Sequence, residues 1–251
     1  MQPITPNALI SEEVTLNQSF HVSIVVPAFN EEEVVASVVE RASNTMLSLG
    51  WPFEIIVVDD GSTDATYKMT SILRNTRVIR NHTNGGKGVA LRRGFAEAKG
   101  DIVVAMDADG SHNPEELDRF IYPLLSENDG IEAVIGSRFA GSTRPEGVTF
   151  SHSLGNRLIN ALFFLLSGRY FSDTQCGYRA FKRELVKRLQ PISKGFEIET
   201  EMLMLMRKNL IRVVEVPIKC NKRLGGKSKL NLLSDGTRIL LGLVRAFAAA
   251  P

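Results

Sequence analysis

The chain has 251 residues, 43% of them hydrophobic and 23% charged, which fits one large α/β domain and excludes a disordered or low-complexity protein. A formal charge of +2 and a pI near 8.5 lack the strong basic stripe of a nucleic-acid binder, so no nucleic-acid partner is expected and any anion selectivity must be local. Cys176 and Cys220 have neither metal-ligand spacing nor a CxxC pairing and read as free thiols of a reducing compartment.

In chain order, residues 1–20 are polar and mixed, without a basic region followed by an apolar run, and predict a disordered segment with no cleaved secretory signal. Residues 22–27 (VSIVVP) and 54–60 (EIIVVDD) are β-branched runs that predict buried parallel strands. Between them, Glu31 to Leu49 has helical spacing, with Asn30 as N-cap and Glu33 as its capping-box partner. The pattern continues with helix 63–73, strand 77–80, helix 88–99, strand 101–106, helix 114–125 and strand 133–137. This alternation predicts an α/β fold: a Rossmann-like, mostly parallel sheet with helices on both faces and the ligand at the carboxyl ends of its strands.

The second half of the catalytic domain, which the reading extends over residues 21–230, changes character. Helices are expected at 154–166 (LGNRLINALFFLL), 184–189 and 199–207, then a strand at 213–218 and a basic glycine-rich loop at 222–229. A last helix covers 232–247 within a C-terminal segment, 231–251. No stretch reaches the ~18–20 apolar residues that span a bilayer. Segments 154–168 and 231–251 combine Leu, Ile and Phe with Asn156, Arg157, Asn160, Asp235, Arg238 and Arg245, which predicts amphipathic helices in a membrane's headgroup boundary; core helices are the alternative. The apolar C-terminal segment would lead into membrane spans in a longer chain.

The chemistry centres on Asp107-Ala108-Asp109 after the apolar strand DIVVAM. Two carboxylates one residue apart at a strand's carboxyl end can share a Mg²⁺ or Mn²⁺ ion with a pyrophosphate. The ion acts as a Lewis acid on the charge that builds on the leaving phosphate. A second acidic cluster, Asp59-Asp60-Gly61-Ser62-Thr63-Asp64, ends another strand and can accept hydrogen bonds from a nucleobase or ribose, or form an Asx turn and helix cap. Phe29 after Pro27 either stacks on a base or packs in the core. Lys87 in Asn84-Gly85-Gly86-Lys87-Gly88 opens a helix, where lysine and helix N-terminus predict an anion site. The spacing is neither a Walker A nor a dinucleotide fingerprint, which disfavours a P-loop hydrolase.

Taken in order, PAFNEEE, VVDDGSTD, NGGKG, MDADG, GSRF, DTQCGYRAF, GFEIETEM and GGKSKLN resemble glycosyltransferase family 2, closest to the dolichyl-phosphate and polyprenyl-phosphate sugar synthases, over roughly residues 22–247. The resemblance implies a GT-A fold, inversion at the anomeric carbon, and a nucleotide diphosphate sugar donor, GDP-mannose or UDP-glucose. By position it implies that Pro27, Phe29, Glu31, Asp59 and Asp60 hold the nucleoside, with Lys87 and Ala108 also on the nucleotide side. It likewise implies that Asp107 and Asp109 hold the metal and donor phosphates. Some dolichyl-phosphate mannose synthases continue the DxD with Leu-Gln, where this chain has Gly110 and Ser111, so Ser111 or a water takes the glutamine's place at the metal. His112, before Asn113-Pro114, reads as a turn residue.

The same resemblance places Arg138 and Arg223, with Ser228 and Lys229, at an acceptor phosphate on a polyprenyl or dolichyl lipid. Ser153 stands where the family has a serine, and Thr149 where it often has an arginine. Arg157 at the base of the apolar segment adds a further cation. A phosphate acceptor has its second pKa near 6, so arginines that position it can replace a general base. If the acceptor is instead a saccharide hydroxyl, Asp173 is the first choice of base, ahead of Glu197, Glu199 and Glu201. Asp109, Arg138 and Asp173 form the expected catalytic set, working at the cytoplasmic face of a membrane. The rivals are a saccharide-directed family 2 transferase, a sugar-phosphate nucleotidyltransferase and a non-catalytic nucleotide-binding module.

Overall fold

The computed structural model describes residues 20–126, 128–141, 149–225 and 232–249. Within them, seven strands form one sheet in the order β3-β2-β1-β4-β6-β5-β7. β1 (Val22–Ala28), β2 (Phe53–Asp59), β3 (Thr76–Arg80) and β4 (Ile102–Ala105) run parallel, as do β5 (Ile131–Ser137) and β7 (Arg212–Pro217). Between β4 and β5 lies β6 (Arg179–Lys182), antiparallel to both. Six strands therefore share a direction and bring their carboxyl ends to one edge. β6 is not foreseen in the sequence, because RAFK holds only two apolar residues between basic ones and shows no readable period.

The strands read as continuous apolar runs because they are buried on both faces. Ile24, Val26, Ile55, Val57 and Val104 point to one side, with α1 (Val35–Leu49) and α4 (Leu117–Leu125). Val25, Ile56, Val58, Val103 and Ala105 point to the other, under α3 (Lys87–Glu97), α6 (Arg183–Leu189) and α7 (Ile198–Lys208). A short α2 (Thr66–Ser71) links β2 to β3. The expected capping box does not form. α1 starts only at Val35, without a side-chain cap, and Asn30 takes φ 53°. Its side-chain oxygen accepts instead from the Thr63 N–H at 2.8 Å, which ties the β1 exit to the β2 exit. Asparagine suits both jobs, since it caps helices and tolerates the left-handed region.

α5 (Phe150–Ser167) and α8 (Leu232–Ala248) pack on each other, and α8 also packs on α7. The C-terminal helix thus packs on the helices that flank the sheet. α5 orients itself in a way its sequence does not announce: Asn156, Ile159, Asn160 and Phe163 are buried, while Leu154, Leu158, Phe164 and Leu165 are exposed. The two asparagines, read as the polar edge of an interfacial helix, bond inward: Asn160 to Thr174 and the Ser172 carbonyl, Asn156 to Asp173. Among the described residues no helix is long and apolar enough to cross a membrane. Both cysteines are free thiols, and burial pushes Cys176 up to about 12. The expectations for residues 1–19, Ser228 and Lys229 lie outside the described residues.

Gly94 lets α3 lie close on the sheet. A Cβ there would come within 2.3 Å of Val25 Cγ1 and 3.1 Å of Val58 Cγ2. Gly→Ala in a helix ordinarily stabilises by about 1 kcal/mol, but overpacking a dense core costs about 1–3 kcal/mol. Gly94→Ala should therefore destabilise, with a lower urea midpoint at unchanged m-value.

Candidate active site

The carboxyl ends of β1, β2 and β4, the loops that follow β5 and β7, α5 and the first turns of α8 enclose a cleft of about 810 Å³. Pro27, Phe29, Glu31, Asp60, Lys87, Asp107, Ala108, Asp109, Ser111, Arg138 and Arg223 line it, so most of the residues singled out in the sequence meet in one space. Asp59, Ser153, Arg157 and Asp173 do not line it. Asp59 is fully buried, accepts from the Ser62 N–H and pairs with Arg80 at 3.1 Å, so it fixes the turn after β2. Ser153 lies in the first turn of α5, its N–H bonded to the Thr149 carbonyl, and Arg157 is exposed on that helix.

Asp107 leaves β4 into the cleft and meets Lys87 at 2.6 Å, and Lys87 also pairs with the buried Glu199 at 2.8 Å. Burial opposes ionisation of Asp107, but the Lys87 ammonium outweighs it and holds the carboxyl at about 2. Burial likewise works against the Lys87 charge, and Asp107 and Glu199 reverse that to raise its pKa. The glycines around Lys87 serve the protein itself. Gly85 and Gly86 N–H groups donate to Asp60, and Gly88 and Val89 N–H groups to the Lys194 carbonyl. The helix N-terminus is therefore already capped, and the anion site expected there reduces to the Lys87 ammonium.

Asp109 turns its Oδ1 to Ser111, accepting from the N–H at 2.9 Å and the hydroxyl at 2.6 Å. Its Oδ2 faces Arg223 Nη1 at 3.1 Å, and Arg223 also pairs with Glu31. Ser111 thus orients the carboxylate, and Arg223, expected at an acceptor, sits on Asp109 and Glu31. No three His, Cys, Asp or Glu side chains gather at metal-binding distance among the described residues. The donor set still suits a hard cation: two carboxylates at an open strand end, each already matched to a positive group, leave the rest of a shell to phosphate oxygens and water, as Mg²⁺ prefers.

Arg138, after β5, forms a two-pronged pair with Asp173, Nε to Oδ2 at 2.6 Å and Nη2 to Oδ1 at 2.9 Å. Asp173 is fully buried and also accepts from the Arg138 N–H, Asn156 and the Gln175 N–H. Burial would raise its pKa, yet Arg138 lowers it. With both oxygens engaged behind the cleft wall, Asp173 orients Arg138 and is not placed as a base. Behind it, the buried Arg179 of β6 donates to the carbonyls of Thr174, Cys176 and Glu199, fixing this loop and the start of α7.

Two residues passed over in the sequence lie here. His112 is buried in the cleft wall, its Nδ1 accepting from the Asp107 N–H at 3.2 Å and its ring stacked 5.1 Å from Tyr178. Burial lowers its pKa. Gly177 lets Lys87 and Asp107 meet, since a Cβ would fall 2.6 Å from Lys87 Nζ and 2.7 Å from Asp107 Oδ2. A lone histidine before Asn-Pro and a glycine between cysteine and tyrosine carry little signal in one sequence.

A pH test follows from the Lys87 pair. With a pKa of about 2, below the unfolded value near 3.9, Asp107 contributes stability that is complete above about pH 4 and lost as pH falls towards 2. In Lys87→Met burial acts on Asp107 without that counter-charge and raises its pKa, so the variant should be less stable than the wild type at pH 7 and the gap should shrink as pH falls towards 3, measured by denaturant titrations between pH 3 and 7.

Residues 23–190 match the family described as Glycosyl transferase family 2. The UDP-N-acetylglucosamine–dolichyl-phosphate N-acetylglucosaminyltransferase of Methanococcus voltae is 34% identical over 78% of this chain and 84% of its own length. The dolichol-phosphate mannosyltransferase of Pyrococcus furiosus is 33% identical over 83% of this chain and 59% of its own. Among solved structures, glucosyl-3-phosphoglycerate synthase from Mycobacterium tuberculosis, in complex with Mn²⁺, UDP and phosphoglyceric acid, superposes with a TM-score of 0.74 at 26% identity, covering 92% of this chain and 80% of that one. With a GT-A neighbour in structure and a family match over most of the sheet and the DxD turn, this chain is a glycosyltransferase that belongs to glycosyl transferase family 2.

Proposed function

We propose that this chain is an inverting, metal-dependent transferase that moves a hexose from a nucleotide diphosphate sugar, GDP-mannose before UDP-glucose, to a polyprenyl or dolichyl phosphate at the cytoplasmic face of a membrane. The observation that carries the reading is the cleft itself: acids suited to a cation and pyrophosphate, Asp107 and Asp109, face the same space as Arg138, a guanidinium suited to an acceptor phosphate. The relatives' names, both of which contain dolichyl or dolichol phosphate and one of which adds a UDP sugar, support the acceptor class.

The division of labour follows from the contacts. Asp107 and Asp109 would hold a divalent ion against the donor pyrophosphate. When bound, such an ion supplies Lewis-acid stabilisation of the leaving diphosphate. Lys87 adds a fixed ammonium beside Asp107 on the same side. Phe29, Pro27 and Asp60 border the nucleotide end of the cleft. Arg138, held by Asp173, orients the attacking phosphate oxygen, whose charge at neutral pH removes the need for a base. The engagement of Asp173 supports a phosphate acceptor over a saccharide hydroxyl, because the favoured base has no free oxygen.

The lipid side has its own support. Leu158 of α5 and Leu240 of α8 both line the cleft and are exposed, so its wall continues into an apolar exterior that includes Leu154, Leu165, Leu241 and Val244. Such a face suits a prenyl chain and the acyl boundary of a membrane.

Radiolabelled GDP-mannose or UDP-glucose with a polyprenyl phosphate and Mn²⁺ should yield an organic-phase product; none with any donor would overturn the acceptor assignment. Asp109→Ala should reduce turnover by on the order of a thousandfold while the protein stays folded by circular dichroism, and wild-type rates in that variant would remove the metal role. Arg138→Lys keeps the charge but loses the fork. It should raise KM for the lipid phosphate about tenfold and leave donor KM unchanged. An equal rise in both would contradict an acceptor-side role.

A further inference from the structure

The segment after β7 is fastened directly to the DxD turn. The Asn221 N–H donates to the Ser111 carbonyl at 3.0 Å, and the Leu224 N–H to the Asp109 carbonyl at 3.2 Å. Leu224 packs over Gly110, where an added Cβ would lie 2.7 Å from its Cδ1. Between these ties Arg223 reaches both Asp109 and Glu31, and its Nε donates to the Gly225 carbonyl at 2.7 Å. One guanidinium thus bridges acids from the β1 and β4 exits while its loop is pinned on the same turn.

We propose that Arg223 is a built-in counter-cation that a divalent ion must displace from Asp109, so that metal binding and release of the Arg223 guanidinium are one event. This deepens the donor-site reading above and rests on it. Two positive groups cannot occupy the same side of one carboxylate. Asp109 Oδ1 is already held by Ser111, so Oδ2 is the oxygen that both Arg223 and an incoming ion would use. Until an ion arrives, Arg223 neutralises Asp109 and Glu31, which would otherwise face each other across the cleft. Once displaced, the guanidinium is available to a phosphate, which reconciles its place on the donor acids with the acceptor role expected from sequence. The arrangement makes the anion-binding arginine available only after the cation has arrived, an ordering enforced by charge alone.

Binding of Mn²⁺ without nucleotide, followed by electron paramagnetic resonance of the free ion, tests this without turnover. Arg223→Gln should bind Mn²⁺ about three- to tenfold more tightly than the wild type, the scale of removing a partly buried ion-pair competitor. Lys222→Gln removes a neighbouring exposed charge that has no place at Asp109 and should leave the affinity unchanged; an equal gain there would reduce the effect to general field and overturn the proposal. Binding by wild type with unchanged or weaker affinity in Arg223→Gln would overturn the displacement while leaving the metal site standing. Failure of every form to bind Mn²⁺ would overturn both. A circular dichroism melt of each variant confirms that the compared proteins are folded.

Discussion

At the carboxyl edge of the sheet, acids are crowded together in and behind the cleft wall, and five of them are matched to three positive groups. Asp107 and Glu199 share Lys87, Asp109 and Glu31 share Arg223, and Asp173 has Arg138. Burying an unpaired carboxylate is expensive, and breaking such a pair costs more than forming it gains. The positions of α3, the β5 exit and the loop after β7 follow from this requirement, since each brings one cation to one set of acids.

The same requirement explains why so much of the backbone near the cleft is tied down. The glycines of the Lys87 loop bond to Asp60 and Lys194, and Gly177 clears the space in which Lys87 and Asp107 meet. A lysine on a long stem serves as a precise charge only when its helix start is fixed. Arg138 gains comparable precision from a buried carboxylate that grips it with two oxygens. Under the proposed function, a pyrophosphate, a cation and an acceptor phosphate would each exchange with one of these internal partners.

The apolar side of the cleft is organised by hydrogen bonds rather than by hydrophobicity. Asn156 and Asn160 turn inward to the loop that carries Asp173, and this forces Leu154, Leu158 and Leu165 outward. α8 then lies against α5 and α7, with Ile239 and Leu243 inside and Leu240, Leu241 and Val244 outside. A lipid chain leaving the cleft would meet this surface first.

By itself the sequence determined the alternating α/β architecture, because strands buried on both faces leave continuous apolar runs whose ends carry acidic and glycine-rich turns. It also marked the DxD pair, Lys87 and Arg138, since strand exits in such a sheet converge on one edge. Tertiary structure alone decided the pairings. RAFK became β6 because β4 and β5 offered it two open edges. Asn30 left its helix cap for Thr63, Asp173 withdrew behind Arg138, and Arg223 settled on Asp109 from 114 positions away in the chain. Local pattern reports which groups a strand end presents; which opposite charge reaches them depends on contacts between distant segments, and those exist only once the chain is folded.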